Sequence, residues 1–152
     1  TTVAVGGCDT AVQRMMEVTE NSLYEGIGQA LPGNKVVDIS RVIQSCVEAN
    51  GYSIVREFVG HGVGKKVHED PQIPNFDDGS RRSTVLKPGM TLAIEPMVNL
   101  GQRHVEMLED GWSVVARDGL PSAHFEHTIL VTDGEPEILT CPGNLPSEPR
   151  ES

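Results

Sequence analysis

The sequence has no hydrophobic run long enough to cross a membrane and no opening segment of the kind that directs secretion. No stretch approaches the ~18 apolar residues of a membrane span, and no basic segment followed by an apolar one opens the chain. Cysteines are few: those at positions 8, 46 and 141 include no C-x-x-C pair, which argues against a disulfide framework and a thiolate zinc site. We therefore expect a cytoplasmic protein without a membrane partner.

Basic residues are also scarce. Twelve lysines and arginines face 22 acidic residues, which gives a formal net charge of −10, and they form no stripe that could neutralise phosphate groups. We therefore expect no direct nucleic-acid partner. The length of 152 residues, with 38% hydrophobic and 22% charged residues, is that of one ordinary globular domain with a buried core.

Two helices are predicted in the first third of the chain. Apolar residues recur at spacings of three and four from a cap at Asp9 or Thr10 to about Ala30. The same period continues from a cap at Asp38 to a stop at Gly51. Each segment therefore has one apolar face that can cover a sheet.

After Gly51 the pattern changes to the alternation of apolar and polar residues that is typical of strands. The predicted strands are residues 53–59, 90–98, 112–116 and 123–131, with the end of an earlier strand at 1–7 and a polar loop at 71–83. Two helices followed by strands without regular β-α alternation predict an α+β fold with helices on one face of a largely antiparallel sheet. We expect residues 1–140 to form this domain and the residues from 141 to 152 to form an irregular tail.

The segment Gly-His-Gly-Val-Gly at residues 60–64 resembles two known motifs without matching either. A phosphate loop has one more residue between its glycines and a Ser or Thr after its lysine, but a second lysine follows Lys65. A zincin helix needs another histidine after the His-Glu pair that begins at His68, and Pro71 would break that helix. What remains is a loop whose glycines let the backbone approach a bound group, with His61 either structural or a ligand.

Two glutamates lie in apolar strand context. Glu95 follows the apolar residues 90–94, where a carboxylate is costly to bury unless a cation or an arginine compensates it, or unless the strand ends at the surface. Strand alternation places His124, Glu126 and Thr128 on one face, which is either buried or solvent-exposed. A neutral imidazole and several carboxylates together suit Mn, Co, Fe or Zn, so these segments predict a metallohydrolase.

Four blocks agree in order and spacing with the type I methionine aminopeptidases of bacteria and organelles, which the chain resembles to about residue 140. The blocks are residues 58–71, 87–97, 110–114 and 125–129. Aminopeptidase P, prolidase and creatinase share the histidine and glutamate blocks, whereas the Asp-Gly-Trp and Glu-His-Thr blocks resemble the methionine enzymes. The resemblance implies the second half of a pita-bread fold, in which two amphipathic helices cover a curved, largely antiparallel sheet.

The resemblance also implies a role for each candidate residue. It makes His61 and Glu95 ligands of one divalent metal ion, and Glu126 a carboxylate that bridges this ion and a second one. His68 is expected to donate a hydrogen bond to the substrate, Glu95 to relay a proton, and Trp112 to wall the methionine pocket. The expected cofactors are two ions of Co, Mn, Fe or Zn, and the expected substrate is a peptide with the N-terminal methionine of a nascent chain.

In this family two aspartates from a strand before the first long helix complete the metal site, and neither is present here. We therefore expect the chain to begin a few residues past the second aspartate and to need the missing N-terminal half of the same domain. Two divalent ions bring four positive charges, of which Glu95 and Glu126 neutralise two. The chain alone is thus expected to be inactive. The alternatives are a non-catalytic pita-bread binding module and another superfamily member such as an X-Pro aminopeptidase.

Overall fold

Both predicted helices are present in the computed structural model, which describes residues 1–79 and 82–140. Helix α1 spans Thr10–Ile27 and helix α2 spans Val36–Ala49. In the described part of the chain, no helix combines the length and the apolarity that a membrane crossing needs. The expected tail at 141–152 lies outside the described residues.

The start of α2 differs from its prediction. Asp38 is expected from the sequence to cap the helix, but the N-cap is Lys35 and Asp38 lies in the first turn. The Asp38 carboxylate reaches back and accepts the backbone N–H of Lys35 at 2.8 Å, in a position where an acidic group also faces the positive end of the helix dipole. Past the other end of α2, Gly51 has a φ of 79°, which glycine adopts without strain.

Ten short strands follow the helices in the described residues. They are β1 Ser53–Ile54, β2 Gly60–Gly62, β3 Glu69–Ile73, β4 Thr91–Ile94, β5 Met97–Asn99, β6 Val105–Met107, β7 Val114–Ala116, β8 Ser122–His124, β9 His127–Leu130 and β10 Glu137–Ile138. Residues 1–7 form no strand, the first part of the loop predicted at 60–64 is strand β2, and β6 and β10 lie outside the predicted strands. Strand β3 runs through Pro71 in the expected loop, which is possible because β3 lies at a sheet edge.

The strands form two sheets and a separate hairpin, and the pairings among the described residues are antiparallel. One sheet has the order β10-β9-β4-β2-β3, the other has the order β1-β5-β8, and β6 pairs with β7. Helix α1 contacts β4, β5 and β8, and helix α2 contacts β1 and β3. The predicted α+β arrangement of helices on antiparallel sheets is therefore confirmed.

One pair of neighbouring strands passes from the five-stranded sheet into the three-stranded sheet. The predicted strand 90–98 is divided at Glu95-Pro96 into β4 and β5, and the predicted strand 123–131 is divided at Phe125-Glu126 into β8 and β9. Strand β4 pairs with β9, whereas β5 pairs with β8. A proline has no N–H for a ladder hydrogen bond, so Pro96 favours a break at this point. We call the place where the two breaks lie side by side the sheet junction.

The core lies between the helices and the sheets. Its fully buried side chains include Met15, Leu23, Ile39, Ile43, Ile73, Leu92, Ile94 and Ile129. Helix α1 packs closely against α2 at Gly26, where an added Cβ would lie 2.7 Å from Cγ1 of Ile43. The absence of a side chain at this position therefore lets the two helices pack closely.

Replacing Gly26 with alanine is expected to destabilise the protein relative to the same replacement at Gly28. At Gly28 an added Cβ would meet the nearest atom, a backbone oxygen, at 3.5 Å, which is an ordinary contact. Both changes restrict the unfolded chain in the same way, so the difference isolates the overpacking against Ile43, which costs about 1–3 kcal/mol. Urea unfolding of the two variants measures it, and equal free energies of unfolding would contradict the close helix contact.

Candidate metal centre

The sheet junction places Glu95 directly across from Glu126. The pairs on either side of the breaks are Ile94 with His127 and Met97 with His124. Because the register is the same on both sides, the two glutamates are cross-strand neighbours. Like charges in this position repel each other, and the side chain of Glu95 is only 14% exposed, whereas Glu126 is exposed. The pair therefore calls for a compensating positive charge.

Two hydrogen bonds hold the backbone of the junction, one from the side chain of a residue outside the interrupted strands and one between the two breaks. The side-chain amide of the buried Asn75 donates to the carbonyl oxygen of Glu95 at 3.1 Å. The backbone N–H of Phe125 donates to the carbonyl oxygen of Pro96 at 3.3 Å. These bonds satisfy backbone groups for which the divided ladder has no regular partner, so the position of Glu95 is fixed by its surroundings.

His61 lies on β2 beside β4, and its imidazole points one nitrogen at Glu95. Nδ1 of His61 lies 2.9 Å from the carbonyl oxygen of Gly62. Because a carbonyl oxygen only accepts, this bond assigns the proton of the neutral ring to Nδ1 and leaves a lone pair on Nε2. Nε2 lies 3.4 Å from Oε1 of Glu95. Two acceptor atoms facing each other at this distance need a cation or a proton between them.

Glycines on both sides of His61 allow β2 to pack closely between its neighbours. A Cβ at Gly60 would collide with the carbonyl oxygen of Ala93, and one at Gly62 would collide with the carbonyl oxygen of Asp70. Both obstacles are backbone atoms of adjacent strands, which cannot turn aside as a flexible side chain can. The close approach predicted for this segment is therefore to neighbouring strands rather than to a bound group, and it places His61 beside Glu95.

The second carboxylate oxygen of Glu95 faces another histidine. Nε2 of His124, at the end of β8, lies 3.3 Å from Oε2 of Glu95. One donor atom each of Glu95, His124 and Glu126 also lies within 4.8 Å of the other two. Metal–ligand bonds of about 2.0–2.2 Å place neighbouring ligand atoms about 3.0–3.5 Å apart. The spacings of both histidines from Glu95 match those of groups around an ion.

The sequence did not indicate a functional role for His124. The one indication in the sequence is strand alternation, which places His124 on the same face as Glu126. Alternation does not show that this face lies beside Glu95 of the adjacent strand. Within the described residues, the ion-pair partners of Glu95 are the histidines His61 and His124. The arginine partner that the sequence left open as an alternative to a metal ion is not among them.

His68 and Trp112 border an open cavity of about 590 Å³ beside the sheet junction. The ring of His68 lies 4.1 Å from the ring of His61 between centroids, and Trp112 is 87% exposed. The cavity has a polar end with Glu95 and His124 and a largely apolar wall formed by Phe58, Val59, Met97, Val105, Val114 and Val115. Its size is that of a site for a small molecule or a side chain.

Asp110 holds the turn that carries Trp112 between β6 and β7. Its carboxylate accepts the backbone N–H groups of Trp112 at 2.9 Å and Ser113 at 2.8 Å, and the hydroxyl of Ser113 also donates to it. These bonds, led by the Ser113 hydroxyl, hold the pKa of Asp110 below its ordinary value because they favour the charged form. Their contribution is present above the ordinary carboxyl pKa and is lost as the pH falls through the lowered pKa.

An antiparallel junction with imidazole and carboxylate donors is the kind of site that a hydrolase uses to hold divalent cations. Residues 1–133 match the metallopeptidase family M24, and the chain belongs to this family. Membership of a metallopeptidase family implies a divalent metal ion as cofactor.

Proteins named methionine aminopeptidase match this chain over 139 residues, which is 91% of it. Methionine aminopeptidase 1 of Bacillus subtilis is 51% identical, and the methionine aminopeptidase of Clostridium perfringens is 50% identical. The chain covers 56% of the first protein and 55% of the second, so it spans about half the length of these curated relatives.

Solved structures show the same fold. The methionine aminopeptidase of Thermotoga maritima is similar with a TM-score of 0.86 and 48% identity, over 90% of this chain and 54% of that one. The prolidase of Pyrococcus furiosus has a TM-score of 0.68 at 23% identity, over 91% of this chain and 35% of that one, which shows a shared fold alone. The resemblance to methionine aminopeptidases and the expected pita-bread fold are confirmed by these likenesses.

Replacing Ser113 with alanine is expected to raise the pKa of Asp110 towards its ordinary value, because it removes the hydroxyl that contributes most to the lowering. A carboxyl ¹³C NMR titration measures the change, and the fluorescence of Trp112, the single tryptophan of the chain, should follow the same titration. The matched control is Ser122→Ala on β8, which should leave this pKa unchanged. An unaltered titration of Asp110 in Ser113→Ala would contradict the assigned cause.

Proposed function

We propose that this chain forms the C-terminal part of the catalytic domain of a cytoplasmic methionine aminopeptidase, which removes the N-terminal methionine of nascent proteins. The observation that carries the proposal is the environment of Glu95. Its carboxylate is largely buried, lies across from a second carboxylate, and has an imidazole nitrogen 3.3–3.4 Å from each oxygen. The names of the relatives support the choice of methionine as the residue removed.

The residues of the junction fit a divalent metal ion. Nε2 of His61 and Oε1 of Glu95 would be ligands of one ion, and Glu126 would bridge this ion and a second one. The lone pair of His61 that faces Glu95 supports this arrangement, since a cation between the two atoms would remove their repulsion. Divalent ions of Co, Mn, Fe or Zn bound there would lower the pKa of a water molecule and polarise a peptide carbonyl.

The charges of this chain are sufficient for one such ion. Glu95 and Glu126 supply two negative charges, which balance a single divalent cation, and His61 adds a neutral ligand. A second ion needs further acidic ligands, and we propose that these are two aspartates in the part of the catalytic domain that this chain does not span. The coverage of about half of each relative supports this division.

Two other residues would act on the substrate. His68 lies beside His61 at the polar end of the cavity, from which its imidazole would donate a hydrogen bond to the substrate carbonyl or amide. Glu95 would accept a proton from the attacking water at a free lone pair of its carboxylate and pass it to the leaving amine. Trp112 and the apolar wall of the cavity would contact the unbranched methionine side chain.

The chain alone is expected to bind about one equivalent of Co²⁺ or Mn²⁺ in isothermal titration calorimetry. Replacing Glu95 with glutamine should weaken binding by more than about 100-fold. Loss of a group that only hydrogen-bonds to a metal ligand costs about 10–100-fold in affinity, and loss of the ligand itself should cost more. Glu106→Gln makes the same charge change on the exposed face of β6 and should bind like the wild type. Equal affinities for both variants would rule out Glu95 as a ligand.

Peptide hydrolysis is expected to require the rest of the domain. The isolated chain should release essentially no methionine from a Met-Ala-Ser peptide, because half of the neutralising charge for two ions is absent. A chimera that places the uncovered part of the Bacillus subtilis relative ahead of Thr1 should restore release, and Glu95→Gln in that chimera should reduce kcat by about 10²–10⁴-fold. Rapid turnover by the isolated chain, or a chimera that binds metal without turnover, would contradict the proposal.

A further inference from the structure

His124 is fixed at the rim of the junction from both sides of its strand. On one side it pairs with Met97 of β5. On the other side the hydroxyl of Thr2 accepts the backbone N–H of His124 at 2.9 Å and donates to its carbonyl oxygen at 3.0 Å. With its backbone held in this way, the imidazole projects towards Glu95 and places Nε2 3.3 Å from Oε2.

We propose that His124 is a positioning residue: its Nε2–H donates a hydrogen bond to Oε2 of Glu95 and so turns Oε1 towards His61. The inference rests on the proposed function, since it concerns how the metal-binding carboxylate is oriented. A carboxylate that binds a metal ion through one oxygen is ordinarily hydrogen-bonded through the other. Glu95 is only 14% exposed, so water has limited access to its second oxygen, and Nε2 of His124 is the group that faces it.

The two histidines therefore have opposite roles at the same carboxylate. The bond from Nδ1 to the Gly62 carbonyl leaves His61 with a lone pair at Nε2, so this nitrogen serves as a ligand. If Nε2 of His124 also carried a lone pair, both oxygens of Glu95 would face acceptors and neither would have a donor. A proton on Nε2 of His124 satisfies Oε2 and leaves other lone pairs of that oxygen free for proton transfer.

NMR spectra of the metal-free protein test the hydrogen bond between His124 and Glu95 independently of metal affinity. In long-range ¹H–¹⁵N spectra of the neutral imidazoles, His124 should carry its proton on Nε2 and His61 on Nδ1. The Nε2 proton of His124 should exchange slowly with water, and this protection should be lost in Glu95→Ala. A rapidly exchanging proton in the wild type, or one unaffected by Glu95→Ala, would overturn the proposal.

Zinc binding to the same chain separates a positioning residue from a ligand. His124→Ala should weaken Zn²⁺ binding by about 10–100-fold, and His124→Gln should recover most of the loss because its side-chain amide also donates. The matched control is His104→Ala, which removes a histidine 4.0 Å from Glu57 outside the junction and should bind like the wild type. In the zinc-bound wild type, His124 should keep its proton on Nε2.

The contrary outcomes are distinct. Wild-type affinity in His124→Ala, or a His124 proton that moves to Nδ1 on zinc binding together with no recovery in His124→Gln, would overturn the positioning role and leave the metal centre intact. If wild type and Glu95→Gln bind zinc equally weakly, the proposed metal centre fails instead. In that case the metal-free spectra still decide whether His124 donates to Glu95.

Discussion

The fold and the candidate site both depend on two strand breaks that lie side by side at the sheet junction. Each strand of the pair leaves one sheet and joins another, yet the register is the same before and after the breaks. This constraint sets Glu95 across from Glu126 and places His124 and His61 at opposite oxygens of Glu95. A shift of one residue in either strand would turn a carboxylate to the other face of the sheet and separate the glutamates from the histidines.

The junction is unfavourable for stability and is supported by the structure around it. Two opposed carboxylates, one of them largely buried, oppose folding unless a cation or a proton compensates them. The buried Asn75 and the close packing of β2 at Gly60 and Gly62 fix the surrounding backbone. The helices and the apolar faces of both sheets provide the burial that offsets this cost, which is typical of sites kept for function.

The sequence predicts the helices well because the spacing of apolar residues and the stop at Gly51 report local structure. The predicted strands run through both breaks because apolar residues continue on both sides of Glu95 and Glu126, although Pro96 is a local signal for the first break. Residue chemistry and the family resemblance single out His61, Glu95 and Glu126 as candidates. The contact of His124 with Glu95 depends on pairing between distant strands, which one-dimensional spacing cannot show.

Charge balance shows how the chain can hold a defined cluster while, in the proposed function, the catalytic site needs further residues. One divalent ion, two glutamates and a neutral histidine would form an electrically neutral unit, which supports the proposal that the junction binds one cation with its own residues. In the proposed function, a second ion would add two positive charges beside the first unit, and further carboxylates would be needed to balance them. The junction therefore acts as the part that sets geometry, because Glu95 is held at both oxygens and through its backbone. In the proposed function, the remaining ligands would bring negative charge to the second ion, beside a carboxylate whose orientation is already fixed.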